Sequence, residues 1–154
     1  MAVKFEHRIG VAAPAELIWE ILVDVPAWPT WAPIYTQAAG QVKFGDKLTL
    51  TQVLPGEAER VIEPVILDWA PNEAIHWRHS THYGLVKTVR YLEIEKLSEV
   101  GCAFSNGELF DGFIGVRVAR HRRKPLHRGF TALGEALKVH AEALWARRQG
   151  EGAS

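Results

Sequence analysis

The sequence is nearly without sulfur, with one cysteine, Cys102, and one methionine in 154 residues. A lone thiol excludes an intramolecular disulfide, so burial and hydrogen bonding have to hold the fold, and a reducing, cytoplasmic setting is expected. Cys102 itself reads as a small buried hydrophobe. Net charge is also lacking, because 18 basic and 18 acidic residues cancel. No global field therefore draws the chain toward nucleic acid or an anionic membrane, and any such attraction has to be local. No apolar run approaches the roughly 18 residues of a membrane span. Lys4, Glu6, His7 and Arg8 interrupt the N-terminal stretch where the apolar segment of a secretory leader would lie. The chain has no G-x-S-x-G elbow, no glycine-rich nucleotide loop and no cysteine set beside a histidine motif, so neither nucleophilic catalysis nor a cofactor is expected.

What is present suits one globular core. Hydrophobic residues make up 47% and charged residues 23%, ordinary proportions for a folded domain, and a chain of this length buries about 68 to 70% of its unfolded surface. Residues 3 to 11 alternate, with Val3, Phe5, His7, Ile9 and Val11 on one side and Lys4, Glu6, Arg8 and Gly10 on the other, which is the period of a half-buried strand. Ala13-Pro14-Ala15-Glu16 then opens a helix, with proline near its first position and a carboxylate at the positive end of its dipole. Leu17, Ile18, Ile21, Leu22 and Val25 carry it on, until Pro26 and Pro29 leave only a second, broken turn around Trp28 and Trp31.

From 35 to 111 the texture is short β-rich runs between turn signals at Gly40, Gly45-Asp46, Pro55-Gly56, Pro71-Asn72, Gly84 and Gly101. Six strands are expected near 35–43, 47–54, 59–68, 74–81, 85–97 and 102–111, joined by loops too short for crossover helices and hence antiparallel. In the last third Leu126, Phe130, Leu133, Leu137, Ala141 and Leu144 recur at helical spacing, with Arg128, Glu135 and Glu142 opposite. A helix over 126–148 would run roughly 34 Å. Six or seven strands with one apolar face need a cover, and this stripe alone is large enough to provide it. The expected fold is therefore α+β of helix-grip type: a curved antiparallel sheet of six to seven strands around a long C-terminal helix, with two short helices after strand one. A single domain over 1–148 and a frayed polar tail over 149–154 complete the expectation.

This order of elements, together with Ala13-Pro14-x-x-Leu17-Ile18-Trp19, resembles the polyketide cyclase/dehydrase branch of the START-like, Bet v 1-like (SRPBCC) superfamily. Asp24 through Trp28-Pro29-Thr30-Trp31-Ala32-Pro33 is similar to that branch's aspartate, aromatic-Pro-x-Trp-x-Pro segment. Arg128-Gly129-Phe130 through Leu133-Gly134-Glu135-Ala136-Leu137-Lys138 is similar to its final helix. The resemblance covers nearly the whole chain. It implies a cavity between sheet and helix for a hydrophobic small molecule such as a lipid or a polyketide-like ring system. Members include carriers, sensors and cyclases, so the fold does not settle the function.

The candidate chemistry is sparse. If strands 85–97 and 102–111 fold back about residue 99, Ile94 faces Phe104, Leu92 faces Asn106 and Arg90 faces Glu108. Together with Phe110 these make one apolar face on which Arg90 and Glu108 are polar spots of the kind that orient ligands. A structural ion pair or a sheet-rim contact is the competing reading. In a cyclase or dehydratase, Arg90 would stabilise an oxyanion and Glu108 would act as acid or base. Trp31 and Trp77 are expected to line or close the cavity, with Phe130, Leu133 and Leu137 as its helical wall, although periodicity alone does not separate a lining from a filled interior. His76, His79 and His82 have metal-like spacing, but on a strand a step of three alternates faces, so no metal site is expected. Arg117, Arg120, His121, Arg122, Arg123, Lys124, His127 and Arg128 form a run without one acid. It reads either as a solvated helix face or as a grip on RNA or a ribosomal surface, and no nucleic-acid-binding motif surrounds it.

Overall fold

The computed structural model describes residues 2–81 and 83–152. Strand β1 (Ala2–Val11) keeps its sequence alternation as an alternation of burial, with the odd-numbered side chains turned inward. Helix α1 (Ala15–Val23) follows, with Ala15, Leu17, Ile18, Ile21 and Leu22 buried, and then a 3-10 turn over Val25–Thr30. Pro26 and Pro29 impose that turn, since neither can donate to a continuing α-helix. Strands β2 (Tyr35–Ala39), β3 (Thr49–Gln52), β4 (Arg60–Ile62), β5 (Val65–Ala70), β6 (Ala74–Thr81), β7 (Val86–Ser98) and β8 (Gly101–Asp111) come next. Helices α2 (Gly112–His121) and α3 (Arg123–Gly152) close the chain.

All strand pairs are antiparallel, in a five-stranded sheet of order β1-β8-β7-β6-β5 and a three-stranded sheet of order β2-β3-β4. The single strand expected over 59–68 is thus two, and the described residues form eight strands. Pro64 sits at the break, and a residue with no N–H cannot carry a central ladder across that point. The two sheets stay joined through Leu48 N to Pro64 O at 2.9 Å, Gly45 N to Ile66 O at 3.0 Å and Ile66 N to Asp46 O at 2.8 Å. The β7–β8 hairpin has the expected register, with Arg90 opposite Glu108, Leu92 opposite Asn106 and Ile94 opposite Phe104.

Helix α3 starts earlier and ends later than its apolar stripe. It runs on through Gly152, past the 148 at which the helix was expected to end. At its start, Pro125 lacks an N–H for the His121 carbonyl and its ring would crowd that group. The helical path therefore breaks at Arg122 into α2 and α3, and Pro125 falls in the first turn of α3. Leu126, Phe130, Leu133, Leu137 and Ala141 lie fully buried against the concave sheet face. Helix and sheet approach closely at Gly134, where an added Cβ would come within 2.3 Å of His7 Nδ1 on β1. Gly134→Ala is accordingly expected to push helix and sheet apart and lower stability by about 1–3 kcal/mol, read as a shifted urea midpoint.

Candidate functional site

Inside the grip the sequence has placed a cation where a hydrophobe would be expected. Arg90 on β7 is 2% exposed. Its Nη1 donates to the carbonyls of Tyr91 (3.1 Å) and Gly107 (3.0 Å), and its Nη2 donates to Asn106 Oδ1 (3.0 Å). Its guanidinium lies 4.2 Å from the Phe130 ring centroid and 5.7 Å from that of Trp77, so two aromatic faces share the charge. Asn106 in turn donates to Phe130 O on α3 at 3.0 Å, which ties the buried arginine to the gripped helix. Arg90 Nε is left with no partner.

Glu108, although in register with Arg90, does not pair with it, because no nitrogen–oxygen distance between them falls within 4 Å. The half-buried Glu108 carboxylate accepts instead from the Thr88 hydroxyl at 2.6 Å. Neither a structural ion pair nor a salt-bridged catalytic couple forms. Beyond Thr88, on the neighbouring strand, His79 shares the inward face of Trp77, and its Nε2 has no partner. The Tyr35 hydroxyl, on a side chain 1% exposed, points toward the Arg90 guanidinium without a hydrogen bond of good geometry. Three buried polar atoms on the inner face, Tyr35 Oη, Arg90 Nε and His79 Nε2, thus make no protein hydrogen bond of good geometry. Near His79, Arg122 holds Glu57 through two contacts of 2.8 and 2.7 Å, with the Arg60 side chain close by.

Burial sets the ionisation here. It pushes the Tyr35 hydroxyl above its ordinary value, with the Arg90 charge opposing. It pushes His79 below its ordinary value, helped by Arg60 and Arg122. His7 and His140 are lowered too, mainly by burial. An unfolded chain takes up protons near pH 6.5 that these folded imidazoles refuse, so stability is full above that pH and falls as pH drops through it. Glu57 is held low by Arg122, and Glu142 by the Ala12 N–H and Lys138; they add their own loss only below about pH 4. A melting temperature that declines between pH 7 and 5, with a flatter slope in His79→Gln, is the expected result of thermal scans.

The other expected site residues are distributed as follows. Trp77, Leu92, Phe110, Phe130, Leu133 and Leu137 all lie buried in the interior with Arg90 and Asn106. Trp31 does not join them. It stacks on His140 at 5.9 Å and lines an outer pocket of about 180 Å³ with Glu20, Asp24 and Arg148. Trp28 takes the inner position, 5.9 Å from Trp77 and 5.3 Å from Tyr35, its Nε1 donating to Leu22 O at 3.1 Å. These rings touch, so the interior is occupied at that end by side chains. His76 faces outward and meets Glu93 at 3.0 Å, opposite in direction to His79, while His82 lies outside the described residues. Among the described residues no group of three or more His, Cys, Asp or Glu is placed to hold a metal. Cys102 is buried and its thiol donates to Ala13 O at 3.3 Å. No described helix is long and apolar enough to cross a membrane.

Tyr35 and His79 were not singled out from the sequence as ligand-facing. A signal existed for His79, because it follows Trp77 by two positions on one strand and so must share its face. None existed for Tyr35, whose depth comes from the second sheet folding over the first.

A bent antiparallel sheet closed around a long terminal helix defines the START/Bet v 1-like helix-grip class. Over residues 2–142 the sequence matches the family described as polyketide cyclase / dehydrase and lipid transport, and the chain belongs to that family. Solved structures agree on the fold. The Zhui aromatase/cyclase from Streptomyces sp. R1128 is 18% identical with a TM-score of 0.74, over 92% of this chain and 94% of that one. A START superfamily protein from Mycobacterium smegmatis is 21% identical with a TM-score of 0.69, over 92% and 98%. Norcoclaurine synthase from Thalictrum flavum is 17% identical with a TM-score of 0.64, over 91% and 96%. No curated protein matches the chain.

Proposed function

We propose that this chain binds a hydrophobic small molecule, a lipid or a polyketide-like ring system, between sheet and α3, and that it does so in the cytoplasm. The observation that carries the reading is the set of three polar atoms without a hydrogen bond of good geometry, Tyr35 Oη, Arg90 Nε and His79 Nε2, on the inner face of an otherwise apolar grip. A buried polar group with no partner costs about 1–3 kcal/mol. A ligand that carries one or two oxygens on an apolar body would satisfy these groups while covering Trp77 and Phe130. Because the rings of Trp28, Tyr35 and Trp77 touch, they have to part to admit it. The family's description and the neighbouring aromatase/cyclase support a ligand of this class. Native mass spectrometry of the whole chain, incubated with fatty acids and with hydroxylated polycyclic aromatics, tests the reading. One class retained mole for mole is expected, and no retention above background would overturn it.

An enzyme of cyclase or dehydratase type is the second reading, and one observation favours it. Glu108 is a half-buried carboxylate that accepts from Thr88. The neutral-leaning imidazole of His79, opposite Thr88 in the sheet, keeps its Nε2 unpartnered on the same inner face, so the two are candidate acid and base for one substrate. In that reading Glu108→Gln abolishes turnover of an aromatic polyketide and leaves its binding intact. Arg90, already occupied on both Nη atoms, would offer only Nε to a developing oxyanion.

A further inference from the structure

Helix α2 carries an outer face that no described residue covers. Gly115, Val116 and Ala119 are its buried side, packed on β7 and β8. On the other side Phe113 is 83% and Ile114 42% exposed, interleaved with exposed Arg117 and Arg120. Residues 83–85 lie at the same edge, since Val86 Cγ1 is 4.0 Å from where a Cβ on Gly115 would sit, and they add the exposed Tyr83 and Leu85. A shallow groove of about 500 Å³ runs between Phe113, Val116 and the stems of Arg117 and Arg120.

The charge on this face is one-sided. No acid occurs between Asp111 and Glu135. Asp111 accepts from Gly112 N at 2.8 Å and Glu57 holds Arg122. Arg117, Arg120, Arg123, Lys124 and Arg128 are exposed and form no ion pair among the described residues. Apolar side chains interleaved with arginines on a convex, amphipathic helix suit the interface of an anionic bilayer. There Phe113 and Ile114 reach the acyl boundary and the guanidiniums meet phosphates. RNA would satisfy the arginines but leave Ile114 and Leu85 without apolar cover. A two-fold copy of the chain would set these uncompensated arginines against their own kind.

We propose that α2 and residues 83–85 form a docking face for an anionic lipid surface. This reading stands apart from the internal ligand, and neither requires the other. Vesicles of phosphatidylcholine and phosphatidylglycerol in equal parts are the probe, with pure phosphatidylcholine as the control and the full chain as the protein. The chain is expected to sediment with the first and not with the second, and added salt should weaken binding. Arg117→Gln/Arg120→Gln should weaken binding on the order of thirty-fold, from about 1 kcal/mol per basic residue near such a surface. Phe113→Ser/Ile114→Ser should weaken it about ten-fold or more. All four positions are exposed, so unchanged circular dichroism is expected for both variants. Failure to sediment with the anionic vesicles overturns the proposal, as does binding that the Phe113/Ile114 variant leaves unchanged. Retention on single-stranded RNA, lost in the arginine variant and kept in the Phe113/Ile114 variant, with no vesicle binding, would assign the face to nucleic acid instead. A concentration-dependent dimer dissolved by Phe113→Ser would assign it to self-association.

Discussion

Trp77→Ala is expected to lose about 3–5 kcal/mol of unfolding free energy, a fall in melting temperature of roughly 10 °C or more for a chain of this size. The ring is 1% exposed, packs 5.9 Å from Trp28 and forms one of the two aromatic faces over the Arg90 guanidinium. Its removal therefore leaves a cavity and weakens the shielding of a buried charge at once. Two-state chemical denaturation measures the loss. A cost under about 1 kcal/mol would mean that the interior is already loose around the indole.

Asn106→Leu should be nearly as severe, at about 3 kcal/mol, although it exchanges side chains of similar size. Asn106 is fully buried and accepts from Arg90 Nη2 while donating to Phe130 O. Leucine would leave the cation with one acceptor fewer in a site that water does not reach, and hydrogen bonds to charged groups contribute about 1.5–3 kcal/mol. Removing the charge together with its acceptor is the diagnostic step. The double variant Arg90→Met/Asn106→Leu should cost at least about 1 kcal/mol less than the sum of its single changes. Strict additivity would show that Asn106 supports the helix alone and not the arginine.

Much of the architecture could be read from residue order because single strands state their own faces. The β7–β8 pairing is the clearest case. A two-residue connection after Ser98 and an apolar face of Leu92, Ile94, Phe104 and Phe110 leave one register that buries all four. The break at Pro64 was legible in principle, since proline in a run of strand residues is a warning against continuity. Helix α2 was not. Its two glycines and its exposed Phe113 and Ile114 obscure the small buried stripe of Gly115, Val116 and Ala119, and its basic residues pass for a solvated surface.

The candidate site divides in the same way. Arg90, Glu108 and Asn106 followed from pairing arithmetic along one hairpin, but their hydrogen bonds did not. Register fixes which Cα atoms are opposite, whereas the guanidinium chooses among the carbonyls of Tyr91 and Gly107, the amide of Asn106 and the Glu108 carboxylate by reach and desolvation. Trp31 and Trp28 are three residues apart across a proline-broken turn, and no periodicity tells which of them turns inward. Tyr35 belongs to a sheet whose position over β7 is a long-range property of the chain.

The test closest to the heart of the matter is Tyr35→Phe, followed by two readouts on one preparation. Deleting a hydroxyl that makes no hydrogen bond of good geometry should leave the empty protein as stable as before or more stable by about 1 kcal/mol. It should also weaken the hydrophobic ligand retained in mass spectrometry about ten-fold, by removal of one hydrogen bond from an otherwise dry site. A variant that loses stability and binds as tightly as the parent would contradict the idea that the inner polar atoms are kept unsatisfied for a guest.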